Sequence, residues 1–316
     1  MRRFRSTVLG ASCALIVLLT ACGSGGGGSN SNNKSGGGAA ACTGGSGKNL
    51  TVGVSGAFTE NILVAEMYSQ VLANCGYTVT KKLDIQTREI SDKALQKGEI
   101  DIKPEYISSE LAFVDPSAPS SGDPAAVSAR LRPLLANEGI ALLPYSPAAD
   151  QNVFVVTQAT ASKYHLKTVD DLAPVAGKLT LGGPPECPQR PFCIIGLKKV
   201  YGITFGNFKA LDAGGPETVQ ALDAGAIDVG LLFSTNPIIQ SKGWVVLKDD
   251  KGLQAADNIA PVVKQSVLDS TIKSQLDKVS QALSTDELTK LIARVDVQRE
   301  DASAVATSFL QDHNLL

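Results

Sequence analysis

Histidine is almost missing from this chain of 316 residues, with only His165 and His313 present. Imidazole is the usual proton carrier and a common metal ligand near neutral pH, so histidine-based catalysis has little material to work with. No Cys-x-x-Cys pair occurs, which removes the usual thiolate zinc spacing. Aromatics amount to 5% and the formal net charge is −2. With neither a basic stripe nor rings interleaved with one, nucleic acid is not an expected partner. No Gly-x-Ser-x-Gly elbow is present to carry a hydrolase serine. Gly44-Gly45-Ser46-Gly47-Lys48-Asn49 has a phosphate-loop look, but Cys42 occupies the leading glycine position and no Ser or Thr follows Lys48. After the N-terminal segment, no apolar run is long enough to span a bilayer. The absences together argue against an enzyme, a resident metal and a cofactor.

What is present begins with an address. Arg2, Arg3 and Arg5 precede an apolar stretch from Val8 to Leu19, short for a membrane span but suited to a signal peptide. It ends in Leu19-Thr20-Ala21-Cys22, which resembles a bacterial lipobox. That resemblance implies a signal over residues 1–21, cleavage before Cys22, and a lipid on Cys22. The segment 22–47 is then a tether. Its Gly23–Gly47 stretch is mostly Gly, Ser, Asn and Ala, a flexible coil with an r.m.s. reach of about 25–30 Å.

Cys42, Cys75, Cys187 and Cys193 remain beyond the anchor. Export favours disulfides, and four cysteines allow three pairings. Cys187 and Cys193 lie around Pro188 and Pro191 and would clip one loop. Cys42 precedes the first expected strand and Cys75 ends the first expected helix. A crossover helix runs back towards the start of its strand, so the expected pairs are 42–75 and 187–193.

The globular part carries a repeated phrase. Ala94-Leu95-x-x-Gly98-x-Ile100-Asp101-Ile102 recurs as Ala221-Leu222-x-x-Gly225-x-Ile227-Asp228-Val229. Each reads as a helix end, a glycine stop and a short apolar strand, so two lobes of like construction are expected. Asp101 and Asp228 then have a shared architectural role rather than a catalytic one. Alternating strand and helix patterns from Leu50 onward call for mainly parallel sheets with covered faces. The chain is expected to cross between lobes near 146–151 and 234–238. Lobe one would comprise 48–147 plus 239–316, and lobe two 148–238. Helices over 271–283, 285–295 and 303–312 would pack on lobe one.

Several motifs then match one family in order and spacing. They are Phe58-Thr59-Glu60, the stretch Ala94 to Tyr106 with Pro104-Glu105-Tyr106, Thr168-Val169-Asp170-Asp171-Leu172, Glu186-x-x-x-Arg190, Gly196-Leu197-Lys198-Lys199-x-Tyr201-Gly202, Phe233-Ser234-Thr235, and Ala260-Pro261-Val262-Val263. From about residue 50 to the end the chain resembles the solute-binding proteins of osmoprotectant ABC importers, which bind glycine betaine, choline, carnitine and similar quaternary amines. The resemblance implies an α/β, two-lobe periplasmic-binding-protein fold of type II with the ligand cleft between the lobes. It also implies an extracytoplasmic, lipid-anchored monomer that delivers a small molecule to a membrane permease driven by a separate ATPase.

A trimethylammonium donates no hydrogen bond, so such sites rely on aromatic faces, with an Arg and hydroxyls for a ligand carboxylate. By this resemblance Tyr106 stands at a cage position, Arg190 at the carboxylate clamp and Ser109 at a ligand-facing hydroxyl. Phe233 matches an aromatic before Ser-Thr, Phe58 opens the first helix, and Asn152 falls where an aromatic is usual. Gly56 replaces a usual Lys, and Gln254-Ala255-Ala256-Asp257 fills a stretch that usually holds an aromatic. Two lost cation–π contacts of about 0.5–2 kcal/mol each would weaken betaine roughly 10-fold to 1000-fold. The depleted cage leaves open a more polar or larger ligand, or a sensor in place of a transport component.

Overall fold

The hydrophobic phrases condense into two five-stranded sheets, each with helices on both faces, in a computed structural model describing residues 42–316 apart from Ala57, Glu186 and Ala213. The signal segment, Cys22 and most of the tether lie outside the described residues. Lobe one begins with β1 (Asn49–Ser55), α1 (Thr59–Asn74), β2 (Thr78–Ile85), α2 (Arg88–Lys97), β3 (Ile102–Tyr106), α3 (Ile107–Val114), α4 (Pro124–Asn137) and β4 (Ile140–Leu142). Lobe two follows with β5 (Asn152–Val156), α5 (Gln158–Tyr164), β6 (Thr180–Gly183), α6 (Ile194–Gly196), β7 (Asn207–Ala210), α7 (Pro216–Asp223), β8 (Val229–Phe233), α8 (Pro237–Ser241) and β9 (Val245–Val246). The chain returns as β10 (Ile259–Lys264), α9 (Ser270–Ala282), α10 (Thr285–Asp296) and α11 (Ala302–Asp312).

Sheet one runs β2-β1-β3-β10-β4 and sheet two β7-β6-β8-β5-β9. The orders correspond strand for strand. In each, the first three strands are parallel, while the strand arriving from the other lobe lies antiparallel. Each sheet is therefore mixed but mainly parallel: four strands share one direction, and only the strand that arrives from the other lobe, β10 or β5, opposes them.

The repeated phrase folds identically in both lobes. Gly98 and Gly225 take left-handed φ values of 75° and 68°, where a side chain is strained. Asp101 accepts the Thr51 N–H at 2.8 Å and Asp228 accepts the Thr180 N–H at 2.8 Å. Each aspartate thus ties its own strand to the neighbouring central strand.

Two antiparallel crossings join the lobes. Ala149 bridges Asn258, Asp150 N–H donates to Asp257 O at 3.1 Å, and Ile259 N–H donates to Ala148 O at 3.0 Å. The first crossing lies near the expected 146–151. The return lies near 257, whereas 234–238 was expected; β9 pairs with β5, and Leu247 and Leu253 pack in the second core. A two-residue strand carries too little periodicity to be seen in sequence.

α9, α10 and α11 pack with α1, placing Ile272, Leu276, Leu288, Val305 and Phe309 in the core beside Leu63 and Met67. Their starts are capped by Asp269, Ser284 and Asp301, each accepting a backbone N–H, at about 1 kcal/mol apiece. The disulfides pair Cys42 with Cys75 and Cys187 with Cys193. Gly44–Gly47 turn against the domain, Gly45 N–H donating to Cys75 O at 2.9 Å. Among the described residues, no helix is long and apolar enough to cross a membrane.

Candidate functional site

Helices that follow parallel strands start at the carboxyl edge of the sheet, so both lobes point helix N-termini at one interlobe cleft. The start of α1 contributes Phe58, Thr59 and Glu60, and α10 contributes Ile292 and Asp296. From lobe two come the start of α7 and the segment Phe233–Ile238 after β8. Together they enclose a cavity of about 590 Å³. Across it the Phe58 and Phe233 rings meet edge to face, with centroids 6.0 Å apart and planes at 69°. Such a contact contributes about 0.5–1.5 kcal/mol beyond its area. Phe58 is nevertheless 47% exposed, an open ring face in a concave site.

Beneath the rings sits a pair of carboxyls from different parts of the chain. Glu60 is buried, and the Tyr106 hydroxyl donates to its Oε1 while lying 2.9 Å from Asn61 Oδ1. Thr235 Oγ1 lies 2.9 Å from Glu60 Oε2 and 2.8 Å from Asp150 Oδ1. A threonine hydroxyl has one proton, so it satisfies both carboxyls only if one of them is protonated and donates back. Burial first, and the charge of Asp150 second, push Glu60 up to about 8. Burial raises Asp150 as well. Near neutral pH the pair therefore shares a proton. Tyr106 is pushed well above its ordinary value by burial and by Glu60, which keeps its hydroxyl a donor.

On the other side of Phe58 lies a cavity of about 230 Å³, bounded by Ser55, Asn61, Thr87 and Tyr106. Its wall holds a buried charge network. Lys103 pairs with Asp92, with Glu105 at 2.8 Å and with Glu110 at 3.9 Å. Arg88 reaches Glu105 at 2.6 Å and Glu110 at 3.6 Å. Burial opposes ionisation of Glu105, yet Lys103 and Arg88 hold it down to about 2, while burial pushes Glu110 up to about 8. Two cations thus face three acidic side chains, of which Glu105 is the one they hold ionised, while burial raises Asp92 and Glu110. Asp92, Glu105 and Glu110 are close enough to share a metal ion, but the Lys103 ammonium already pairs with all three, so they do not fit one.

The six residues expected at the ligand separate. Phe58 and Phe233 come together in the larger cavity, and Tyr106 reaches it through Glu60. Ser109 does not face this cavity: its N–H and hydroxyl both donate to Asp257, at 2.8 and 2.7 Å, beside the return crossing. Asn152 stands opposite Phe233 in the β5–β8 register but lines a separate cavity of about 290 Å³ with Gln151, Lys248 and Gln254. Arg190 is exposed in the disulfide loop, its N–H donating to Cys187 O at 3.2 Å. Sequence reasoning missed Glu60, Asp150 and Thr235 as site residues. Glu60 and Thr235 lie inside the quoted Phe-Thr-Glu and Phe-Ser-Thr motifs, which was the available signal.

The sequence family described as the substrate binding domain of ABC-type glycine betaine transport systems matches residues 48–312. The glycine betaine-binding protein YehZ of Escherichia coli (strain K12) is 26% identical over 265 residues, 80% of this chain and 87% of that protein. The glycine-betaine-binding protein of Pseudomonas aeruginosa is 28% identical over 274 residues, 82% of this chain and 86% of that one. A crystal structure described as a glycine betaine/carnitine/choline ABC transporter superimposes with a TM-score of 0.76 at 25% identity, covering 84% of this chain and 99% of that chain.

Proposed function

This chain belongs to the family of substrate-binding domains of ABC-type glycine betaine transport systems, and we propose that it holds a quaternary-amine solute in the interlobe cleft, with Phe58 and Phe233 against the cationic head and Tyr106 behind Glu60. It is a substrate-binding protein of glycine betaine-type ABC transport, and its relatives are transport proteins, not enzymes. Substrate-binding proteins of ABC importers work outside the cytoplasm. The anchoring reading rests on Leu19-Thr20-Ala21-Cys22: cleavage before Cys22 and lipid on its thiol would hold the monomer above a permease that a separate ATPase drives.

One observation carries the ligand reading: an aromatic ring from each lobe projects into the same cavity, 6.0 Å apart between centroids. A diffuse cation in the corner that the two rings make draws the lobes together, because that corner exists only when each lobe supplies its ring. Ligand then shifts the hinge equilibrium by its higher affinity for the closed state. The crossings at Ala149 and Asn258 are narrow enough to act as that hinge.

A thermal-shift screen of choline, glycine betaine, carnitine, sugars and amino acids tests the reading. A quaternary amine should raise the Tm, and Phe58→Ala should weaken its binding about 2- to 30-fold, the span of one cation–π contact. A shift confined to sugars or ordinary amino acids would move the ligand to another class.

A further inference from the structure

The larger cavity has an uneven charge lining. Val219, Ile238, Ile292 and Val297 give it aliphatic walls, and Glu60, Asp150 and Asp296 give it carboxyls. No lysine, arginine or histidine is among its described lining residues. A ligand carboxylate placed here would meet the charge that Glu60 and Asp150 share and the Asp296 carboxyl, with no cation among the described lining residues. An ammonium would meet those same acids and two ring faces, and both attract it.

The buried cations beyond Phe58 do not change this balance. Arg88 and Lys103 lie across Phe58 in the smaller cavity, where they pair with Glu105 and Glu110. The cavity volume of about 590 Å³ falls within the range of sites for drug-sized molecules, so there is room for an apolar body beyond a trimethylammonium head.

Resting on the reading of this cleft as the solute site, we infer that it selects organic cations bearing an apolar body and no carboxylate over zwitterions. Choline and glycine betaine share the trimethylammonium head and differ in carrying a hydroxyl or a carboxylate, which makes them the deciding pair. Benzyltrimethylammonium adds the apolar body. Calorimetric titration of the full-length protein in non-ionic detergent should give choline and benzyltrimethylammonium affinities at least about 10-fold above that of betaine, the equivalent of one net charge contact. Glu60→Gln combined with Asp150→Asn, which removes the charge that the pair shares, should weaken both cations about 10-fold and narrow the gap to betaine. Asp296→Asn, at an exposed position, should weaken the cations a few-fold even if the paired variant fails to fold.

Betaine binding as tightly as choline would overturn the selectivity and leave the site in place. Cation affinities unchanged in both variants would also overturn it. Silence from all three ligands would remove the site reading together with the selectivity.

Discussion

At Thr235 a single hydroxyl proton stands between Glu60 and Asp150, with oxygen separations of 2.9 and 2.8 Å. That arrangement makes the hinge a site of proton uptake. Glu60 has an ordinary value of 4.5 and is pushed up to about 8 by burial and Asp150. Between those values the folded chain keeps a proton that the unfolded chain has released. Stability consequently falls as pH rises from about 4.5 to about 8. Glu110, raised to about 8 by burial, adds a loss of the same sign. In Glu60→Gln, chemical denaturation between pH 5 and 8.5 should show a smaller loss of stability than in the wild type. An equal loss would mean that Glu60 ionises normally. Phe58, Phe233 and Tyr106 were singled out in sequence because short motifs surround them. The carboxyl pair was not, because its proton sharing depends on a distance between segments far apart in the chain.

Elements show the duplication most clearly. Each lobe has a helix ending in a left-handed glycine, a short strand, and an aspartate that accepts an N–H from the adjacent strand. Asp101→Ala and Asp228→Ala should each destabilise by about 1–2 kcal/mol, the cost of a charge-assisted hydrogen bond to a backbone N–H. Urea titration of both variants checks this, and a neutral result in one lobe would break the equivalence. The repeat was readable because its glycine and its Ile-Asp pair are fixed by local geometry. The assignment of β9 was not readable. Val245 and Val246 acquire strand character only by pairing with β5, a tertiary outcome that overrides local pattern.

For the whole molecule, the covalent ties act unequally. The Cys42–Cys75 bond closes a separation of 33 residues and Cys187–Cys193 closes 6. Chain-entropy reasoning assigns them about 4 and about 2 kcal/mol. Cys42→Ala with Cys75→Ala should therefore lower the Tm more than Cys187→Ala with Cys193→Ala, as calorimetry would read. The reverse order would point to a structural role for the 187–193 loop beyond its entropy. Two-lobe architecture was legible at this scale because the repeat and the family motifs agree. The position of the return crossing was not, since Asp257 and Asn258 form it through backbone pairing with Ala148–Asp150.

The central claim is that Phe58 and Phe233 hold one cation between the lobes. A double-mutant cycle of choline binding, with Phe58→Ala, Phe233→Ala and the double variant measured by calorimetry, tests it most directly. Two rings on one ligand should give losses that are not additive, with a coupling of about 0.5–1.5 kcal/mol. Choline affinity untouched by either substitution would contradict the claim and place the ligand elsewhere in the cleft.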